Sequence, residues 1–459
     1  MKVLSKSPEK SVFALIDGNS FYASCEIAFQ PHLSHRPVVV LSNNDGCIVA
    51  ANQIAKDLNA ELMQTVKTLG PGGYRSAVMD NMMFQPYFKV KDILEKYRAA
   101  VFSSNYELYA DMSSRMHRIV GEFAPRQEIY SIDESFLDLT GMHNFNLTTL
   151  ALQIKDKVKQ DIGIPVAVGI GHSKTLAKLA NHLAKKQAQH QGVLDLTQWD
   201  ETTLNAVLAK VDVGKVWGIG SRLSQQLKQQ GVATVADLKQ ANPKTMRKTY
   251  GVVMERTWRE LHGESCLSLE EVSAHKKQII SSRSFGVPIT AYVQMEQAVV
   301  SYTCRAAEKL RSQGSVCAFI SVMVTTNPFA KDAPFYRNQQ TIGLIYPSDN
   351  SILLTKLAKR ALKSIWRAGY AYHKAGVTLG DIDLKRALQE DIFAPNPKYS
   401  GNPKQAALMQ VMDGINQRDG RNTLFLGASG IKSKNTWQMR RNLMSPRYTT
   451  RWSELLQVR

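Results

Sequence analysis

The chain has 459 residues, enough for about three compact units, which excludes a single small module. Its 58 Lys and Arg against 39 Asp and Glu leave a net charge of +19, which points to a polyanionic partner, nucleic acid or an anionic surface. Five scattered cysteines (Cys25, Cys47, Cys266, Cys304, Cys317) form no C-x-x-C pair, which argues against a zinc ribbon or disulfide chemistry and for buried thiols in a reducing cytoplasm.

The N-terminal apolar run stops at Asp17, unlike a secretory signal. No segment approaches the ~18 apolar residues of a membrane span, so none is expected. The charge is uneven: residues 1–165 carry 17 basic and 18 acidic groups, residues 166–459 carry 41 and 21. The N-terminal third is nearly neutral, and the excess lies beyond it.

In chain order, VFALID (12–17) predicts a short buried strand ending on a carboxylate, and NSFYASCEIAF the helix after it. RPVVVLS predicts a second strand, and NNDGCIVAANQIAKDLNAEL a turn leading into a helix, with a Gly/Pro break at Gly70–Gly73. Two helical stretches bracket Ser103 to Asp111, and EIYSIDESFLDLTG predicts a strand pair bending near Asp133 and Glu134. IPVAVGIG predicts a strand feeding the helix SKTLAKLANHLAKK. Four strands with helical crossovers imply an α+β sheet with helices on one face. Farther on, VWGIGSRLSQQLKQQGVATVADL predicts hairpin, helix, turn, helix. SSRSFGVPIT, CAFISVMVTT and AGVTLGDI predict strands alternating with helices over 278–385, and APNPKYSGNPK is a linker by composition, followed by a short helix, ALMQVMDGINQ.

Asp17 at a strand end and the pair Asp133 and Glu134 at a strand bend are placed as a centre for two hard cations would need. Taken singly, a strand-terminal Asp commonly caps the next helix and an Asp-Glu pair in a turn is solvated. The basic helix beside the same sheet favours the metal reading. On it Lys174, Lys178 and Lys185 fall on one face, with Leu176, Leu179, Ala180 and Leu183 opposite. The lysines make either a solvated face or a phosphate cradle after a turn at Gly169 and Gly171. GIGHSKT lacks the glycine before lysine that a P-loop needs, which excludes a P-loop NTPase.

DGNSFYASCE, SNNDGCIVAANQIAK, SSNYELYADMS, YSIDESFLDLTG, GIGHSKTLAKLANHLAKK, VWGIGSRL, SSRSFG and SPRYTTRW together resemble the Y-family translesion DNA polymerases, in the UmuC branch, the catalytic-subunit type of DNA polymerase V. The resemblance runs from about residue 12 to the end of the chain. It implies an α+β multidomain right-hand polymerase: a ferredoxin-like palm (12–41 and 75–172), small fingers (42–74), and a helical thumb (173–262) with a helix-hairpin-helix at about 213–238. An α/β little finger (276–385), a linker (386–404) and a C-terminal UmuC-type region (405–459) follow.

Residue by residue, the resemblance makes Asp17, Asp133 and Glu134, with the Gly18 carbonyl, ligands for two Mg2+ ions that serve dNTP substrates. It makes Tyr22 the steric gate against a ribose 2′-hydroxyl, Phe21 its neighbour beside the sugar, and Lys185 a triphosphate contact. Where many members carry tyrosine and arginine in the fingers, this chain has Gln53 and Lys56; lysine keeps the charge without the bidentate fork. Gly218 and Gly220 would bind DNA phosphates through backbone N–H groups, and Arg283 would contact template phosphates. Gln389, Ile392 and Phe393 on the linker resemble a sliding-clamp-binding peptide, although Glu390 stands where leucine is commoner.

The resemblance further implies primer-template DNA, a processed UmuD-like dimer and a RecA filament as partners, in the cytoplasm and on the nucleoid when active. The activity expected is error-prone, template-directed synthesis past lesions in the bacterial SOS response, without proofreading. The alternatives are a non-catalytic DNA-damage scaffold, disfavoured by the intact carboxylates, and a nucleotidyl cyclase, which has no use for the hairpin or the clamp-like peptide.

Overall fold

The computed structural model describes residues 10–58, 82–270, 276–330, 333–385, 403–420, 422–430 and 437–456. They divide into two compact units: one of Met1–Ser42, Gly46–Ser273 and Leu443–Arg459, the other of Asn43–Asp45 and Ala274–Asn442.

In the first unit the apolar run near the N-terminus forms β1 (Phe13–Gly18), followed by α1 (Phe21–Phe29). Next come β2 (Val38–Leu41), β3 (Ile48–Ala51), α2 (Gln53–Asp57), α3 (Tyr87–Lys96), β4 (Ala100–Ser103) and α4 (Tyr106–Gly121). They are followed by β5 (Arg126–Ile129), β6 (Glu134–Asp138), α5 (Leu147–Ile162), β7 (Val166–Gly171), α6 (Lys174–Lys186) and β8 (Val193–Asp195). Five short helices complete the unit: α7 (Glu201–Leu208), α8 (Ser221–Gln229), α9 (Val235–Gln240), α10 (Pro243–Tyr250) and α11 (Val252–Leu261).

The main sheet has the order β5-β6-β1-β7-β8, so β1 is central and antiparallel to both neighbours. It has five strands rather than four, because the short β8 adds in parallel to β7. The RPVVVLS strand does not join it: β2 pairs with β3 and β4 in a separate three-stranded sheet, which crosses the boundary drawn at residue 42.

Period-2 alternation gives β1 two faces. Ala14 and Ile16 enter the large core with α1, α4 and α5, while Phe13 and Leu15 pack with Phe136 and Ala177 of α6. Helix α6 lies close on β7 because Gly169 and Gly171 have no side chains. A Cβ at Gly169 would meet the Asn181 nitrogen at 2.1 Å, and one at Gly171 the Leu176 Cβ at 2.7 Å. The two glycines therefore belong to β7, Gly171 as its last residue, and make room for α6 rather than forming a turn. Ser173 caps α6, its Oγ accepting from Leu176 N at 3.1 Å, a contact worth about 1 kcal/mol.

The second unit has β9 (Gln278–Ile289), α12 (Tyr292–Ser312), β10 (Ser315–Thr326), β11 (Arg337–Ser348), α13 (Ser351–Ile365), β12 (Tyr372–Leu384) and α14 (Pro403–Arg418). Its antiparallel sheet, ordered β11-β10-β12-β9, buries Ile320, Val322, Val324, Val377 and Leu379 against α12 and α13. β11 is absent from the sequence expectation. Its stretch RNQQTIGLIYPS is mostly polar or half-exposed along its length, which weakens the apolar signal of a strand. Of the C-terminal region expected at 405–459, Leu443–Arg459 is assigned to the first unit.

Candidate active site

The parity that sends Phe13 and Leu15 toward α6 also puts Asp17 on that side of the sheet, at the last turn of β1. Its cross-strand partner is Glu134, the first residue of β6. The Gly18 N–H donates to the Asp133 carbonyl at 2.8 Å, which ties the strand end to the bend carrying the second acid. Asp17, Gly18, Asp133 and Glu134 therefore meet at one end of the central strands. The chain turns sharply there, with Ser20 at φ 47°. Glycine suits position 18 because a Cβ would stand 2.9 Å from Phe21 Cδ2.

Each acid has its own partner. Lys185 Nζ lies 2.5 Å from Asp17 Oδ1, Lys178 Nζ lies 2.6 Å from Glu134 Oε1, and Ser131 Oγ donates to Asp133 Oδ1 at 2.7 Å. Lys178 also stands over the rings of Tyr130, at 4.6 Å, and Trp217, at 5.4 Å. Burial pushes the Asp17 carboxyl up to about 6; Lys185 opposes the shift, and Glu134 and Asp133 add to it.

Among the described residues no three His, Cys, Asp or Glu side chains are grouped as ligands around a metal ion. The donor set nevertheless fits hard divalent cations: oxygen-only, triply acidic, and balanced here by ammonium groups of α6.

Lys174, expected on the same basic face, is not part of this cluster. It is 3% exposed and pairs with Glu128, also donating to the Ser268 carbonyl at 2.7 Å. A buried lysine needs such partners, and its role is to fix α6. The expected core residues Leu176, Leu179, Ala180 and Leu183 are buried.

On α1, Tyr22 is half-buried and stacks on Tyr109 of α4 at 4.4 Å and 16°, with Tyr106 edge-on at 6.2 Å. Burial raises its hydroxyl above the ordinary tyrosine value. Phe21, expected beside a sugar, is 3% exposed in the large core, because it begins the inner side of α1 and fills the space at Gly18. Lys56 of α2 donates to Ser20 Oγ at 2.8 Å, and burial, then the nearby Lys185 charge, lowers its pKa. Lys56, Lys185 and Asp17 thus converge. Gln53 does not join them: its amide bonds Asp57 Oδ1 along its own helix at 2.7 Å, on the exposed side.

Gly218 and Gly220 are exposed on either side of the buried Ile219, just before α8. Gly218 has φ +87° and, among the described residues, neither glycine has a neighbouring atom within 4 Å of its Cβ position, so the backbone there is open. In the second unit Arg283 is exposed on the edge strand β9 and donates to the Ser282 carbonyl at 3.0 Å. Gln389, Ile392 and Phe393 lie outside the described residues, as do residues 59–74 of the expected fingers.

Residue reasoning did not assign roles to Ser131, Tyr109 or Glu26, and did not foresee that Lys178 pairs with Glu134. Tyr109 lies in SSNYELYADMS and Glu26 in DGNSFYASCE, but a partner that acts from behind a site has no spacing signature.

The impB/mucB/samB family model matches residues 16–69 and 74–182, and its C-terminal domain model matches 276–392. Domains of unknown function match 158–277 and 406–458. The chain is 46% identical to Protein UmuC of Salmonella typhimurium over 98% of its own length and 100% of that protein. It is 43% identical to Protein MucB of Escherichia coli over 97% of the chain and 99% of that protein. A solved Y-family DNA polymerase chimera shares its fold at a TM-score of 0.59 and 20% identity, covering 81% of this chain and 99% of that one. With its carboxylates, lysines and stacked tyrosines at the end of one sheet, the chain belongs to the UmuC branch of the Y-family: it is a DNA-directed DNA polymerase of translesion synthesis, acting on primer-template DNA with deoxynucleoside triphosphates and divalent-metal-dependent catalysis.

Proposed function

We propose that nucleotidyl transfer takes place at the end of β1 and β6, with Asp17, Asp133, Glu134 and the Gly18 carbonyl holding two Mg2+ ions. The carrying observation is that Asp17 and Glu134 are register partners with Lys185 at 2.5 Å from the first. Bound there, the ions would lower the pKa of the primer 3′-hydroxyl and neutralise the triphosphate. The chain's own groups do the rest. Ser131 orients Asp133, while Lys178 and Lys185 hold the acids in balance until substrate arrives. Lys185 and Lys56 then turn to the phosphates as charged donors. Tyr22, backed by Phe21, presents its ring to the sugar and clashes with a 2′-hydroxyl.

Gly218 and Gly220 with the start of α8, and Arg283 on β9, would grip phosphates without reading sequence, as suits a polymerase that must accept damaged templates. The chain would work in the bacterial SOS response, in the cytoplasm and on the nucleoid, with a processed UmuD-like dimer, a RecA filament and, through Gln389, Ile392 and Phe393, a sliding clamp. Among the described residues no helix is long and apolar enough to cross a membrane.

Primer extension past an abasic site, with the accessory proteins present, tests the site: Asp133→Ala should stop it while leaving salt-dependent DNA binding intact. Extension by Asp133→Ala equal to the parent's would refute the metal assignment.

A further inference from the structure

The last stretch of the chain returns to the back of α1. Leu443 accepts from Ser103 N at 3.0 Å and its own N–H donates to Ser103 Oγ at 2.9 Å. Asn105 Nδ2 donates to Ser445 O at 3.1 Å, Ser445 Oγ at 3.0 Å and Pro446 O at 3.2 Å. Tyr448 stacks on Phe29 at 4.7 Å and 10°. Ser445, 419 residues along the chain from Glu26, donates its hydroxyl to Glu26 Oε1 at 3.0 Å, and Tyr109 Oη donates to the same oxygen at 2.7 Å.

Tyr22, Glu26 and Phe29 occupy positions i, i+4 and i+7 of α1, one stripe of the helix. That stripe meets Tyr109 at its start, the hydroxyls of Tyr109 and Ser445 in its middle, and Tyr448 at its end. Phe29 is half-buried, and the other groups behind Tyr22 are sealed: Glu26 and Tyr109 at 0% exposure, Asn105 at 1%, Ser445 at 4% and Tyr448 at 6%. Among the described residues Glu26 Oε2 has no hydrogen-bond partner, so there the carboxyl depends on the two hydroxyls that share Oε1.

We propose that Ser445 and Tyr109 are positioning residues for sugar selection, the C-terminal strap fixing through Glu26 the ring against which Tyr22 stacks. This rests on the reading of Tyr22 as the gate. The bond from Tyr109 Oη to Glu26 stops the Tyr109 ring from sliding in its plane, and the stacked Tyr22 ring stays where a 2′-hydroxyl would strike it. Ser445 holds Glu26 in the rotamer that receives that bond. The region of unknown function at residues 406–458 thereby contributes to deoxynucleotide selectivity without touching substrate.

The test is single-nucleotide incorporation by the full-length chain with matched dNTP and rNTP. Ser445→Ala and Tyr109→Phe should each lower the dNTP-over-rNTP ratio of kcat/KM about fivefold, the factor carried by about one net hydrogen bond. The change should appear as a lower KM for the ribonucleotide, with kcat for the deoxynucleotide within about twofold, and Ser445→Thr should restore the parent ratio. Because all act through one ring, Ser445→Ala added to Tyr22→Ala should change the ratio no further. An unchanged ratio in both Ser445→Ala and Tyr109→Phe, while Tyr22→Ala lowers it, overturns the proposal and leaves the gate standing. So does an equal loss from Ser445→Ala with and without Tyr22. If Tyr22→Ala leaves the ratio unchanged, the gate reading fails and the strap's role falls with it.

Discussion

Asp17 and Glu26 lie nine residues apart on consecutive elements, and burial raises both carboxyls, to about 6 and about 7. Their surroundings differ in kind. Asp17 remains partly open, at 19% side-chain exposure, with an ammonium group at 2.5 Å and two more acids adding to its shift. Glu26 is sealed at 0% exposure and receives two hydroxyls but no cation. In the proposed reaction Asp17 gives up its lysine to phosphate and takes metal instead, so it has to stay reachable and charge-balanced. A carboxylate that only braces a helix can be sealed, and it then holds its proton to higher pH.

The largest expected effect separates the two sites by activity. Asp133→Ala should cut primer extension about a thousandfold, the factor that about 4 kcal/mol of transition-state stabilisation is worth. Glu26→Gln should leave most of that activity. Single-turnover extension rates at saturating dNTP measure both, and a Glu26→Gln loss as large as that of Asp133→Ala would erase the distinction.

The proposed reacting end of this comparison is legible in the sequence and the bracing end is not. Asp17 closes an apolar run, Asp133 and Glu134 sit at a strand bend, and Lys185 lies in the last turn of a capped helix, all local patterns with a chemical reason. Glu26 lies inside an ordinary apolar helix and Ser445 in a polar tail, and only the fold brings them to 3.0 Å. The same holds at the level of elements. β1 and β7 announced themselves by continuous apolar runs, whereas β11 is largely polar and the attachment of Leu443–Arg459 to the first unit depends on contacts made far away in sequence. Lys174 shows the limit of helical-wheel reasoning: it shares a face with Lys178 and Lys185, yet its neighbours are Glu128 and the Ser268 carbonyl.

A second prediction uses pH. Glu26 has a folded value of about 7 against an ordinary 4.5, so between these values the native state keeps a proton that the unfolded chain has released. Stability should therefore fall as pH rises through that window, by about 3 kcal/mol in all, and level off above it. Denaturant melts of the parent and of Glu26→Gln at about pH 5 and about pH 7.5 check this. The glutamine variant should lose that part of the slope, and an identical slope in both proteins would place the proton elsewhere.

The smallest effects give the sharpest contrast, because they should cross. Lys185→Ala removes a partly exposed ammonium group from Asp17. Its ion pair stabilises the fold little, about 1 kcal/mol at most, but in the proposed reaction its charge meets the triphosphate, so KM for dNTP should rise about tenfold, the equivalent of about 1.4 kcal/mol. Ser445→Ala removes one of two donors to a sealed carboxyl. It should lower stability by about 1–2 kcal/mol and leave KM for dNTP unchanged. Unfolding midpoints and dNTP titrations on the same two variants read out all four quantities. If Lys185→Ala lowered the midpoint as much as Ser445→Ala does, the ammonium group would be a structural strut, and Asp17 and Glu26 would differ only in exposure.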